Sequence, residues 1–392
     1  MAKPIDDKFG TFVPPCERVW ENQASRNTFT DIRKAKRLSE KSRLLSNLPP
    51  KSPILGDFEE GVARKSPKMG GWGASVRIFD TSQTSSEADC LIEKAIEQYQ
   101  LQFFQASLKT FQQALVICRT SKDWQGQGKA LGGMGLVYYM VGNYPESIAC
   151  SHQSLGIARH IQDRMTERQA LGNLGNAYRH LEDFARAIEF KQQSLVIAQD
   201  IADRRGELAA LSNLGMLHKA MGNCEQAISY YHQSLIIARE LPDLQAEAQV
   251  LRNLGNAHHA MSNYAETVRC YELLLSLIRQ IAGRQSEIQI LKNLASACHS
   301  LGDFNKAISY HQEQLAIVLE LQDYETAAQT LENLGILYTD LGRNGEALEC
   351  YETRLAIAHS MQNSSLEKQT TNALKATYCT MGDFAKASQY PV

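Results

Sequence analysis

The chain has 392 residues, an ordinary apolar fraction of 43% and a formal net charge of −2 from 41 basic and 43 acidic residues. This near balance argues against a general phosphate-binding protein such as a nucleic-acid binder, because that activity needs a surplus of Lys and Arg. No run approaches the roughly eighteen apolar residues of a membrane span, and the start of the chain lacks the apolar core of a signal peptide.

The first 87 residues differ in composition from the rest. Seven of the ten prolines lie before residue 68, and 1–87 carries a net charge of +4 whereas 88–392 carries −6. Sequence rich in Pro, Ser and Lys with little apolar periodicity predicts an extended or disordered basic arm, with a short basic helix favoured at 30–48. Trp20 and Trp72 stand in polar surroundings, where each either anchors a linear binding motif or collapses onto the first repeat.

From residue 88 onwards the sequence repeats itself every forty residues without an insertion or a deletion. Seven of the copies carry a leucine at the same position, and these are Leu91, Leu131, Leu171, Leu211, Leu251, Leu291 and Leu331. In the eighth copy Thr371 occupies that position. A second leucine follows three residues later in most copies, on the same face of a helix. This self-similarity predicts seven full repeats over 88–367 and a partial eighth over 368–392.

Small residues and turn residues predict how each repeat folds. Glycine recurs in mid-helix at positions 135, 175, 215, 255 and 335, where it costs about 1 kcal/mol relative to alanine. Two helices must therefore approach closely there, with the alanines at 187, 227, 307 and 347 as the expected partners. Gly-Asn or Gly-Asp pairs at 142, 222, 302 and 382 predict a left-handed helix end followed by a helix cap, and Asp163, Asp203, Asp243 and Asp323 mark the turns between repeats. Helical hairpins without strands, stacked into a solenoid, are the expected fold.

The run Leu171-Gly-Asn-Leu-Gly-Asn-Ala-Tyr178 and its counterparts resemble the tetratricopeptide repeat (TPR). The sequence of this run is similar to the forty-residue Leu-Gly-Asn repeats of spindle-orientation adaptors, kinesin light chains and cyanobacterial TPR arrays. The resemblance covers about 88–392 and implies an all-α, right-handed α-solenoid in which the first helix of each hairpin lines a concave groove. Repeats 1 and 8 depart from the pattern, with Lys94 and Lys375 at positions where leucine and a small residue are expected.

The resemblance also implies fixed groove positions, and one of them is filled by asparagine in five successive repeats. That column consists of Asn173, Asn213, Asn253, Asn293 and Asn333, and Asn176 and Asn256 occupy a second position. A carboxamide can pair with both the C=O and the N–H of a bound peptide backbone. Asparagine is a mediocre helix former, so its recurrence needs a reason. Two readings stay open, which are peptide binding and structural bridging between neighbouring helices.

The other groove positions carry cations and histidines. They are Arg179, Lys219, Arg252, Lys292, His259 and His299, and no acid stands among the groove positions until Glu332. This bias favours an extended acidic segment as ligand, the alternative being solvated surface charge. A carboxylate clamp is only partly matched, because Gln329 and Asn333 replace its expected basic pair. The basic arm is expected to be a poor ligand of this groove and to engage a second partner.

No catalytic motif or cofactor-binding loop is present. Nine scattered cysteines without a Cys-x-x-Cys pair disfavour disulfides and structural zinc, and a metal site at the groove histidines is disfavoured as well. We therefore expect a non-enzymatic cytoplasmic scaffold or adaptor that binds a partner's peptide segment, without cofactor, nucleic acid or membrane span. The alternative is a peptide-responsive regulator whose superhelix changes when the ligand binds.

Overall fold

The computed structural model describes residues 87–281 and 284–390, which belong to two separate compact units. The first unit contains α1 (Glu87–Gln100), α2 (Phe104–Thr120), α3 (Trp124–Met140), α4 (Tyr144–His160), α5 (Arg164–His180), α6 (Phe184–Asp200), α7 (Arg204–Ala220), α8 (Cys224–Glu240), α9 (Leu244–Ala260) and α10 (Tyr264–Ile281). The second contains α11 (Arg284–Leu301), α12 (Phe304–Glu320), α13 (Tyr324–Asp340), α14 (Asn344–Ser360), α15 (Ser364–Thr380) and α16 (Phe384–Ala387). The described residues form no strand, and the predicted all-α fold is confirmed.

Within each unit the helices pair into consecutive hairpins. An odd-numbered first helix packs on the even-numbered second helix that follows it, and the second helix also packs on the first helix of the next hairpin. In the unit 87–281 the first helices of successive hairpins also contact each other, from α1 through α9. The predicted arm, its helix at 30–48 and both arm tryptophans lie outside the described residues.

The turns follow the predicted chemistry with one exception. Asp163, Asp203, Asp243 and Asp323 each begin a first helix by accepting a hydrogen bond from a backbone N–H in its first turn. Within the hairpins Asn143, Asp303 and Asp383 do the same for the second helix. The predicted side-chain cap at Asn223 is wrong, because this residue makes no such bond and starts α8 through its backbone carbonyl, which accepts from the Ala227 N–H at 3.1 Å.

Left-handed residues follow most of the described helices, both within and between hairpins; α8 is an exception, because its C-cap Leu241 is extended. Gly142, Gly222 and Gly302 have φ of 81°, 83° and 83°, a region in which glycine has no Cβ to clash. Between hairpins the same conformation is taken by residues with a Cβ, among them Gln162 at 58° and Ala202 at 52°. The turn geometry is therefore set by its place in the forty-residue period rather than by glycine alone.

The mid-helix glycines lie at close contacts between the two helices of a hairpin, as predicted, and in several repeats the nearest atoms belong to a tyrosine ring rather than to the small residue expected there. A Cβ on Gly215 would lie 2.5 Å from the ring of Tyr231, and one on Gly255 would lie 2.8 Å from the ring of Tyr271. Each ring belongs to the residue four positions after the buried small residue of the second helix, Ala227 or Thr267, because one further helical turn brings its side chain over the glycine. The buried leucines, such as Leu174, Leu214 and Leu254, fill the rest of the hairpin core.

The last hairpin is short. Leu374 on α15 is fully buried, and α16 ends after a single turn at Ala387. Among the described helices none is both long enough and apolar enough to cross a lipid bilayer.

Candidate functional site

The candidate groove is the side of the unit 87–281 formed by α3, α5, α7 and α9, here called the first-helix face. Successive first helices contact one another along it. The predicted site residues of this unit lie on three adjacent helices: Asn173, Asn176 and Arg179 on α5; Asn213 and Lys219 on α7; and Arg252, Asn253, Asn256 and His259 on α9. The remaining ones belong to the unit 284–390, with Lys292, Asn293 and His299 on α11 and Asn333 on α13.

The first two asparagines of the column are tied into the fold. The Asn173 Nδ2 donates to the backbone oxygen of Gly132 at 3.1 Å and so bridges α5 to α3. The Asn213 Nδ2 donates to the Ala209 oxygen at 2.7 Å within α7, while its buried Oδ1 has no hydrogen-bond partner. Asn173 therefore matches the bridging interpretation, and Asn213 keeps an unused acceptor.

The later asparagines bond to side chains. The Oδ1 of Asn253 accepts from the Gln249 Nε2 at 3.2 Å, and that of Asn293 accepts from the Gln289 Nε2 at 2.9 Å. In each pair the glutamine lies one turn earlier on the same helix, and both carboxamides are only half-buried. A side-chain pair of this kind can open to accept a ligand at little cost, because the ligand replaces one hydrogen bond by another.

The second asparagine position is not uniform. The Oδ1 of Asn256 accepts from the Tyr271 hydroxyl at 2.6 Å, which locks it to the second helix of its own hairpin. The Oδ1 of Asn176 is buried and has no partner. An unpaired buried acceptor is costly, so Asn176 stands out as a group that a ligand or a water molecule must complete.

The cations differ in their surroundings. The Arg179 Nη2 donates to the Tyr139 hydroxyl at 3.3 Å and lies 3.1 Å from the His180 Nε2, whereas its Nε is buried without a partner. Burial and the charge of Arg179 lower the pKa of His180, and burial lowers the pKa of Lys219. Arg252 is half-buried and Lys292 is exposed.

His259 and His299 are both exposed at the ends of their helices. Each ring meets the first aromatic residue of the following helix edge-on, Tyr264 at 5.6 Å and Phe304 at 5.5 Å between ring centroids. Across the described ranges no three His, Cys, Asp or Glu side chains are grouped as metal ligands would be. The two histidine rings thus pack across the turns of their hairpins.

Sequence reasoning missed a buried lysine on the second helix of repeat 3. Lys191 on α6 is 3% exposed and packs its methylene groups against Gly175, at the register that Tyr231 and Tyr271 fill in the next two repeats. Its Nζ donates to the Gly172 oxygen at 2.7 Å. Burial and the nearby charges of Arg179 and Arg168 lower the pKa of Lys191 to about 7. Aligning the second helices at the forty-residue period would have revealed this lysine.

A second buried cation lies in the unit 284–390. Arg354 on α14 is 2% exposed and joins three helices through its guanidinium. It donates to Glu332 on α13 at 2.9 Å and to the Thr370 hydroxyl on α15 at 3.0 Å. The acid predicted to interrupt the basic groove positions is therefore neutralised from inside the fold.

No curated protein sequence matches the chain significantly. Among solved structures, similar folds include a signal-transduction ATPase with a tetratricopeptide repeat sensor from Pyrococcus horikoshii, at TM-score 0.56 and 16% identity over 77% of this chain and 46% of that one. The C-terminal part of a TPR repeat-containing protein from Cytophaga hutchinsonii has TM-score 0.53 and 13% identity over 72% and 99%. The apo form of RapI has TM-score 0.50 and 11% identity over 71% and 99%.

Two family profiles match the sequence. The profile of anaphase-promoting complex subunit 5 matches 75–128. The tetratricopeptide repeat profile matches five overlapping windows: 126–200, 166–240, 206–280, 246–320 and 286–360. Together these windows span 126–360, which is more than half of the chain. The chain therefore belongs to the tetratricopeptide repeat family.

Proposed function

We propose that the protein is a non-enzymatic interaction scaffold that binds an extended, acidic peptide segment of a partner along the first-helix face. The observation that carries this proposal is the set of unused or replaceable polar groups on adjacent helices. Asn176 and Asn213 have buried oxygens without partners, and the Asn253 carboxamide is held only by a neighbouring glutamine. A peptide backbone supplies both the donors and the acceptors that would complete such groups.

The spacing of the helices fits an extended ligand. Packed helices lie about 8–10 Å apart and an extended chain advances ~3.3 Å per residue, so each first helix would meet about every third ligand residue. Arg179, Lys219 and Arg252 add positive charge along α5, α7 and α9. Backbone hydrogen bonds to the asparagines would give a sequence-tolerant grip, and the cations would select acidic side chains.

The test selects twelve-residue peptides from a random display library against the full chain and measures their affinity by fluorescence anisotropy. We expect the selected peptides to be enriched in Asp and Glu. Asn253→Ala should weaken them by about 1 kcal/mol for each lost hydrogen bond. Asn305→Ala, which removes an exposed asparagine from the second helix α12, is the matched control and should leave the affinity unchanged.

Charge reversal gives the second arm of the test. Arg252→Glu should weaken binding more at low salt than at high salt, because screening shortens the range of the charge. Selected peptides that bind Asn253→Ala and Arg252→Glu as tightly as the unchanged chain would contradict the proposal. Solution scattering with and without a peptide then separates the scaffold from the regulator, since a regulator compacts or extends and a scaffold keeps its dimensions.

A further inference from the structure

Lys191 is a cation that the fold does not need. Three other repeats place tyrosine at the same register, where Tyr231, Tyr271 and Tyr351 pack their rings on a glycine of the first helix. A tyrosine at 191 would bury apolar area on Gly175 without bringing a charge into the core. Burying an ammonium group costs free energy unless an anion compensates it, so packing alone does not account for this lysine.

The charges around Lys191 make that cost larger. Besides burial, the charges that lower the pKa of Lys191 are those of Arg179 and Arg168, and both are positive. Arg168 is itself paired with Asp203, with 2.8 Å between Nε and Oδ2. Neither Lys191 nor Arg179 has an acidic partner among the described residues, so within this part of the chain only loss of the lysine proton relieves the cost, and an anion that compensates the charged form would come from outside it.

The hydrogen bonding around Lys191 is also incomplete. The structure gives the ammonium group one hydrogen bond, to the Gly172 oxygen, although the group carries three N–H donors. The Arg179 Nε is a buried donor without a partner, and the Asn176 carboxamide has a buried oxygen without one. A half turn of that carboxamide would present its NH₂ group instead.

These groups lie on one side of α5. Gly172, Asn176 and Arg179 follow each other at one-turn spacing and so share a face of the helix, and Gly172 is half-exposed. A Cβ at Gly172 would find only the Ser194 Oγ, at 3.9 Å, within 4 Å. The backbone oxygen that holds the lysine ammonium therefore belongs to a half-exposed residue of α5 that carries no side chain.

We propose that Lys191, Arg179 and Asn176 form a binding site for one anionic group, a carboxylate or a phosphate, on the peptide segment that binds the first-helix face. The inference rests on the proposed function and assigns one anchor point of the ligand to repeat 3. A bound anion compensates the two cations, and its oxygens accept from the unused donors. Such charge-assisted hydrogen bonds are among the strong ones in proteins.

The site is tested by NMR on the full chain with ¹³C,¹⁵N-labelled lysine. The Lys191 signal is the one missing from Lys191→Met, a variant that keeps the length of the side chain on Gly175. Inorganic phosphate and acetate, added at constant ionic strength, distinguish the two anion sources. We expect at least one of them to shift the Lys191 signal saturably while the signal of Lys109, an exposed lysine on α2, stays in place.

A second experiment uses a selected peptide to connect the anion site with the ligand of the first-helix face. Replacing the critical Glu of a selected peptide by Gln should weaken binding about tenfold to the unchanged chain and to Lys109→Met, and much less to Lys191→Met. Circular dichroism checks that Lys191→Met is folded. An unshifted Lys191 signal with both anions and every selected peptide would overturn the inference, and so would an equal Glu-to-Gln effect in all three chains. If phosphate shifts Lys191 but no peptide binds, the proposed function fails and the anion site stands.

Discussion

The contact between Gly215 and Tyr231 allows a sharp test of how the hairpins pack. Gly215→Ala adds a methyl group that would lie 2.5 Å from the Tyr231 ring, and this ring is 1% exposed and has little room to move. Gly156→Ala adds the same group to α4, where no atom outside the adjoining helix backbone lies within 4 Å. Both glycines are helical, so both substitutions gain about 1 kcal/mol of helix propensity.

The free energies of unfolding of the two variants should differ by the cost of crowding the added methyl group against Tyr231. Overpacking a core costs about 1–3 kcal/mol. We therefore expect Gly156→Ala to raise the free energy of unfolding by about 1 kcal/mol. Gly215→Ala should lower it by roughly 0–2 kcal/mol after the propensity gain is included.

Guanidinium unfolding followed by circular dichroism measures the difference. Amide hydrogen exchange in α7 and α8 gives a local readout, because repeat arrays need not unfold in one step. In a Tyr231→Ala background the ring is absent, and Gly215→Ala should then stabilise the chain as Gly156→Ala does. If Gly215→Ala stabilised the otherwise unchanged chain as much as Gly156→Ala, the packing of Tyr231 on Gly215 would be refuted.

Three further predictions concern buried charge and the end of the array. Glu332→Gln should lower the free energy of unfolding of the unit 284–390 by about 3 kcal/mol, because it leaves the buried Arg354 guanidinium without its anion. The control Glu346→Gln breaks a surface ion pair and should change this free energy by less than about 1 kcal/mol in the same denaturation assay. In phosphate-free buffer the stability of the unchanged chain relative to Lys191→Met should rise from pH 7 towards 10.5, since the unfolded lysine keeps a proton that the folded one, with a pKa of about 7, has lost; a flat difference would contradict the burial of Lys191. Leu374→Asp should raise amide exchange in α13–α15 and leave α3–α8 protected, because contacts in a solenoid are local; equal loss of protection everywhere would contradict this.

The forty-residue register predicts most of the fold because each hairpin is built from contacts that recur within the repeat. Leu174 and its counterparts, the capping Asp163 and the left-handed Gly142 all have the roles expected from their spacing. Asn223 is the exception, since a cap depends on a side-chain rotamer that the spacing does not specify.

The candidate site was less predictable. One asparagine column contains a bridge to the neighbouring helix at Asn173, a bond within its own helix at Asn213 and a pair with glutamine at Asn253. The identity of a residue does not specify which of these partners it takes, because each depends on side chains from another helix or another turn. Lys191 was missed for a related reason: the apolar register that makes it part of the core does not reveal that its charge is uncompensated.

The turn shared by two junctions between hairpins bears on how such an array changes over generations. Gln162 and Ala202 are both left-handed, and the residues that follow them, Asp163 and Asp203, both cap a first helix. Deleting 163–202 would join Gln162 to Asp203 and recreate the same turn, with one hairpin fewer and every remaining helix in register. Unequal recombination at such points can therefore remove or duplicate a repeat in a single genetic event. The chemistry carried by that repeat, including the cation pair of Lys191 and Arg179, would be lost or doubled as a block.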